Sequence, residues 1–273
     1  MGLRHARTVA AHADAQLVGA VDPDPTRHPN DLACPIHLTQ DALIGAADAV
    51  IVAAPTLLHA QVAVPLLEAG ISCLIEKPVA LTRDEFARMR KAVRKDAVIR
   101  AGHIERFNPA IRALLAAKPA DIRTLTARRI SGASARMSDV DVIVDLMVHD
   151  LDVVMTVKGL PVSAVSATGT RDNATATLTF SDGATATVTA DRTTPTRIRD
   201  LDVVTGNAAF HLDYIARSLT KDGVAQDVEQ ADALSTELTA FIAAVRGTGN
   251  AVTLDEAEAS MDIVWRVQAA LGL

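Results

Sequence analysis

Asp145 and His149 stand four residues apart in the stretch Asp141-Val-Ile-Val-Asp145-Leu-Met-Val-His149-Asp-Leu-Asp152. On an α-helix that spacing puts both side chains on one face, and Asp152, three residues further on, extends it. The rest of the stretch is Val, Ile, Leu and Met. A carboxylate and an imidazole are costly to bury there unless they serve each other or line a cavity. An Asp that orients and charges a His makes a general base. The spacing also suits metal ligands, but neither a third histidine nor H-E-x-x-H accompanies it. The remaining alternative is a core histidine with its hydrogen bonds satisfied internally.

Lys77 is the second candidate. The apolar run Ile71-Ser-Cys-Leu-Ile75 ends abruptly in Glu76-Lys77-Pro78, which places a lysine at the carboxyl edge of a strand. There it can meet a hydroxyl or a developing alkoxide, and partial burial lowers its pKa toward useful proton transfer. Alone, the same motif also describes a surface lysine paired with Glu76. Ala54-Pro55-Thr56, with His59 close behind, ends another strand and opens a helix, again at an edge where α/β sheets bind ligands. A plain turn with Thr56 as N-cap is the alternative. Near the start, Gly2 precedes a helix, and Asp22 follows at about the distance of a ribose-binding acid in a dinucleotide fold. Asp22 also fits a turn former before Pro23.

These positions need elements to hold them. The runs at 17–22, 48–53, 72–76 and 97–101 are continuously apolar rather than alternating, as parallel strands covered on both faces are. Helical patterns lie between them, at 60–69 and at 82–95, the latter opening with the capping-box pattern Thr82-Arg-Asp-Glu85. Strand, helix, strand predicts a doubly wound α/β domain over 1–104. Beyond it the pattern predicts an α+β domain over 105–273. Helices are expected at 107–117, 142–158, 236–246 and 254–271. A period-2 hairpin should run from 174–180 through a Ser-Asp-Gly turn to 184–190, with further strands at 201–205 and 208–214. Its sheet should be open and mainly antiparallel.

Composition narrows the function classes. With 27 Lys+Arg against 33 Asp+Glu the net charge is −6, which argues against a nucleic-acid partner. Hydrophobic residues at 49% and charged ones at 22% describe an ordinary globular chain, and only 3% aromatics make its core aliphatic. Cys34 and Cys73 lack metal-type spacing, so a reducing cytoplasm is the expected setting. No apolar run approaches the roughly 18 residues of a membrane span.

Taken together, the motifs resemble the Gfo/Idh/MocA family of NAD(P)-dependent oxidoreductases. The resemblance runs in order through His5-Ala6-Arg7, Val21-Asp22, Ala54-Pro55-Thr56 with His59, Glu76-Lys77-Pro78, Gly102-His103, Arg106-Phe107-Asn108-Pro109 and Asp145 with His149. Its finer features look most like the nucleotide-sugar dehydrogenase branch. The resemblance implies an N-terminal Rossmann domain and a C-terminal domain whose open sheet commonly mediates homo-oligomerisation into dimers or tetramers. It also implies hydride transfer between a sugar or cyclitol hydroxyl and nicotinamide. By position, Lys77 would bind the reacting hydroxyl, His149 would exchange its proton, and Asp145 would orient His149 or contact substrate. Arg106 and Asn108 would lie near the substrate. Gly2, Asp22, Pro55, Thr56, His59 and Glu76 would line the cofactor, with Asp22 favouring NAD over NADP unless Arg27 offsets its charge. No metal is implied. The first strand and two of the three phosphate-loop glycines of the family are absent. Two expectations follow: that the gene encodes roughly ten further residues upstream, enough for a strand and turn, and that strands 17–22 and 48–53 lack a ladder partner between them. A non-catalytic sugar-binding descendant is the alternative reading.

Overall fold

The computed structural model describes residues 1–132, 140–249 and 251–273. In chain order the first elements are α1 (Gly2–Ala11), β1 (Ala20–Val21), β2 (Ile36–His37), β3 (Ala49–Val52), α2 (His59–Glu68), β4 (Ser72–Glu76), α3 (Arg83–Ala92) and β5 (Ile99–Gly102). Then come α4 (Pro109–Ala116), β6 (Ile122–Ile130), α5 (Val148–Lys158), β7 (Val162–Gly169), β8 (Asn173–Phe180) and β9 (Thr185–Asp191). The chain ends with β10 (Ile198–Thr205), β11 (Ala209–Asp213), β12 (Ser218–Lys221), β13 (Val224–Ala225), α6 (Ala233–Val245) and α7 (Leu254–Leu271). They form two compact units, Met1–His103 with Leu234–Glu258, and Ile104–Ala233 with Ala259–Leu273.

In the first unit β3, β4 and β5 form a parallel sheet with β4 in the middle. Cys73, Leu74 and Ile75 of β4 are fully buried, which is why this run is continuously apolar. Helix α3 starts where its pattern predicts: Thr82 Oγ1 accepts from the Glu85 N–H while the Glu85 carboxylate accepts from the Thr82 N–H. β1 pairs in parallel with β2 alone, and no ladder joins β1 to β3 among the described residues. The expected boundary at 104 needs amending. Helix α6 returns to the first unit and packs Leu238 and Phe241 on Leu74, and the Ala101 N–H donates to the Val252 carbonyl. The sequence pattern located α6 but not its docking, because an apolar face does not name the surface that covers it.

The second unit is built on an eight-stranded sheet in the order β13-β12-β11-β10-β6-β9-β8-β7, in which only β6 and β9 are parallel. Alternation works as the hairpin pattern requires. Ala174, Ala176, Leu178, Phe180, Ala186, Val188 and Ala190 are buried on one face, while threonines fill the other and Thr175 and Thr189 share a 3.0 Å hydroxyl hydrogen bond. Strand β6 was not anticipated, because its three arginines obscure the pattern; Leu125 and Ala127 are buried, and so is Arg129.

The segment 142–158 departs from a single regular helix. Ile143–Met147 form a π-helical turn, with the Val148 N–H reaching back to the Ile143 carbonyl, before α5 proceeds to its left-handed cap at Gly159. A π-turn lengthens the repeat from four residues to five. The simple four-residue face drawn through Asp145 therefore does not apply at that position.

Candidate active site

In the first unit the site residues gather at the carboxyl ends of β3 and β4. Glu76 closes β4, followed by Lys77 and Pro78, joined by a cis peptide bond. One Glu76 oxygen lies 2.7 Å from His5 Nε2 on α1, and the other accepts the Lys77 N–H at 3.3 Å. Burial alone would raise the Glu76 pKa, but His5 and that backbone N–H outweigh it and hold the carboxyl below its ordinary value. Gly102 at the end of β5 presses on this group: a Cβ there would stand 3.1 Å from Glu76 Cα.

Across from Glu76 stands Glu237 of α6, which the sequence reading passed over. It is 1% exposed, and neither of its carboxyl oxygens has a hydrogen-bond partner among the described residues. Burial, and then the Glu76 charge, push its pKa up to about 8. Its sequence signal was that it is the single charged residue of Ala233–Val245.

Pro55 is exposed in the turn after β3, with Thr56 half-buried behind it. Thr56 does not cap α2, because a 3-10 turn over Thr56–Leu58 intervenes and Leu58 takes the N-cap position. His59, the first residue of α2, is 1% exposed, with its ring nitrogens 3.0 Å from the Pro78 carbonyl and 2.9 Å from the Ala54 carbonyl. The imidazole thus ties the turn after β3 to the turn after β4.

Nearer the start, α1 opens at Gly2 with no side-chain cap and no acidic residue in its first turn, so the positive end of its dipole is left for an anion. A Cβ on Gly2 would meet Ala53 at 3.9 Å, an ordinary contact, so the helix does not need glycine to approach the sheet. Asp22 accepts the Asp24 N–H with one oxygen at 3.0 Å, as a turn former does, which leaves the second oxygen to accept from a ribose. Arg27 is held 3.0 Å from Asp24. An uncapped helix start and an acid after β1 fit a dinucleotide.

The second unit carries Asp145, His149, Arg106 and Asn108. His149 is half-buried in the first turn of α5, and the residues beside it fix that helix to the sheet. Asp150 takes Arg129 of β6 in a bidentate pair at 2.6 and 3.1 Å, and Glu105 accepts from the same guanidinium at 3.0 Å. Burial works against the Arg129 charge, but these two carboxylates hold it protonated above its ordinary pKa. Asp152 takes Arg106 at 2.8 and 2.7 Å and accepts from Ser260 at 2.9 Å. Expected along the face of Asp145 and His149, Asp152 is instead committed to this buried pair. Asn108 caps α4 by accepting the Ala110 N–H, and donates to Glu105 and to the Tyr214 carbonyl. Asp145, in the π-turn, lies 3.7 Å from Arg192. Single π-turns inside helices are frequent at functional sites. Among the described residues no group of three or more His, Cys, Asp or Glu is arranged to hold a metal, and no helix is long and apolar enough to cross a membrane.

A parallel-stranded dinucleotide unit followed by a unit with a large mixed sheet and a polar helix start describes an oxidoreductase of two-unit design. Residues 1–103 match the oxidoreductase family with an NAD-binding Rossmann fold, and residues 126–210 match the Gfo/Idh/MocA C-terminal domain. The UDP-N-acetylglucosamine 3-dehydrogenase of Acidithiobacillus ferrooxidans is 32% identical over 269 residues, covering 90% of this chain and 85% of that protein. A solved structure of that dehydrogenase superposes with a TM-score of 0.92 at 29% identity, over 99% of this chain and 94% of that one. The scyllo-inositol dehydrogenase of Lactobacillus casei, solved with NAD(H) and scyllo-inositol, shares the fold at TM-score 0.83 and 18% identity, over 99% of this chain and 94% of that one. The chain belongs to the Gfo/Idh/MocA family.

Proposed function

We propose that this chain is a dehydrogenase that moves a hydride between a ring hydroxyl of a nucleotide sugar and NAD. The observation that carries this reading is the 32% identity kept along 90% of the chain with a UDP-N-acetylglucosamine 3-dehydrogenase. Bound nicotinamide supplies the hydride acceptor or donor. Lys77 binds the reacting hydroxyl and His149 takes its proton during oxidation, or returns it during reduction. Asp145 orients His149 or contacts substrate. Arg106 and Asn108 shape the substrate side. Gly2, Asp22, Pro55, Thr56 and Glu76 hold the cofactor, with His59 keeping two of the turns in register. The second oxygen of Asp22 favours NAD, since a carboxylate accepts from ribose hydroxyls and repels a 2′-phosphate. A second copy of the chain covers the threonine face of the large sheet. No observation favours the non-catalytic reading.

The test is reduction of NAD or NADP followed with a panel of nucleotide sugars and inositols. Nucleotide-sugar-dependent NAD reduction is expected, and Lys77→Ala and His149→Ala should each lower turnover roughly a hundredfold or more. Near-normal turnover by His149→Ala would remove that residue from the mechanism, and a preference for NADP would overturn the role of Asp22.

A further inference from the structure

Arg199, near the start of β10, pairs across the ladder with Arg129 of β6. Directly opposed residues project to the same face, so Arg199 shares the helix-covered face with Arg129. Their surroundings differ. Arg129 is answered by Asp150 and Glu105, whereas Arg199 is half-buried, its Nε is fully buried with no partner, and its side chain makes no hydrogen bond or ion pair with a described residue. Burial, then the Arg129 charge, with Arg197 adding to it against Glu105 and Asp150, lowers its pKa. A guanidinium withdrawn from water beside like charges, with no carboxylate in contact, is destabilising until an anion neutralises it.

Arg192 supplies a second guanidinium. It follows β9, two residues beyond Ala190, which pairs with Arg129. It donates to Asp172 and to the Val140 carbonyl, while its Nη1 has no hydrogen-bond partner among the described residues and stands 3.7 Å from the carboxylate of Asp145. Two strand spacings across and two residues along put the Cα atoms of Arg192 and Arg199 about 12 Å apart. Two extended arginine side chains can close that span onto one group carrying two phosphates. A lone carboxylate would be satisfied by a single guanidinium fork.

We propose that Arg199 and Arg192 bind the diphosphate of the nucleotide-sugar substrate beside the π-turn that carries Asp145. The inference rests on the nucleotide-sugar reading above and deepens it. Arg199 is the sharper probe, because replacing it breaks no side-chain hydrogen bond or ion pair with a described residue.

The experiment titrates uridine diphosphate, inorganic pyrophosphate, orthophosphate and glucuronate into the full chain and into Arg199→Gln and Arg192→Gln by calorimetry. Thermal midpoints and NAD affinity are measured alongside. The wild-type chain should bind uridine diphosphate and pyrophosphate. Both variants should bind them roughly tenfold or more weakly, as expected for losing a charge-assisted contact. Arg199→Gln should keep its NAD affinity, and its thermal midpoint without added anion should be no lower than that of the wild type. Absence of binding by the wild-type chain, equal binding by Arg199→Gln, or orthophosphate or glucuronate bound as well as pyrophosphate would each overturn the site. If Arg199→Gln loses pyrophosphate while no sugar nucleotide is oxidised, the anion site stands and the dehydrogenase reading falls. If Arg199→Gln oxidises a nucleotide sugar with unchanged KM, the site falls alone.

Discussion

Glu76 and Glu237 are the same residue type in one neighbourhood with opposite electrostatic fates. His5 keeps Glu76 ionised, and burial next to that charge keeps Glu237 protonated at neutral pH. Stability follows from the difference between folded and unfolded states. The Glu237 pKa is raised from 4.5 to about 8 on folding, so the folded chain binds the extra proton between those values. Its contribution is fully present below pH 4.5 and is lost as pH rises to about 8. Glu237→Gln, which keeps the shape but cannot ionise, should therefore gain stability relative to the wild type as pH rises through that window, read as urea midpoints at pH 5 and pH 8.5. A difference that did not change with pH would mean that Glu237 titrates normally. At this scale motif and chemistry coincide at Lys77 and His149, which is why both enter the proposed mechanism. The sequence said little about Glu237 and Arg199, whose character depends on residues distant in sequence, Glu76 for the first and Arg129 for the second.

Elements were easier to read than their joins. Capping chemistry marked α3, strict alternation marked the β8–β9 hairpin, and continuous apolar runs marked β3 and β4, because each signal is local. The π-turn at 143–147 and the charged strand β6 were not legible. One is a change of backbone hydrogen-bond register that no residue type marks, and the other hides a buried arginine whose partners lie on α5 and before α4. That arginine fixes how α5 sits on the sheet, and with it the direction of His149. Removing one member of a buried pair strands the other charge, so Asp150→Asn should cost about 3–5 kcal/mol. A well-packed apolar replacement of both, Asp150→Leu with Arg129→Met, should recover much of that loss. Denaturant midpoints of Asp150→Leu, Arg129→Met and the double variant test this as a cycle. Strict additivity would mean that the two side chains are energetically independent.

For the molecule as a whole, the pattern of strands and helices announced two architectures but not the path of the chain between them. Local periodicity records which faces are apolar, not which distant segment covers them. Phe241 is far along the sequence, yet it packs on Leu74 of the first unit. Phe241→Ala should cost about 3–5 kcal/mol, as large-to-small changes in a core do. Its effect should appear in hydrogen exchange as lost protection at Cys73–Glu76, with the β8 and β9 amides unaffected. Loss confined to the second unit would contradict the docking of α6. The same arrangement constrains synthesis. When residue 103 leaves the ribosome, β4 still lacks the cover that Leu238 and Phe241 will give it, and the second unit awaits Ala259–Leu273. Neither unit can finish as a nascent chain in the N-to-C order that domains generally follow. The first unit is complete only after Leu234–Glu258 has emerged and the second only after Ala259–Leu273, so a message interrupted before those segments leaves the apolar surface of β4 open to chaperones and proteases.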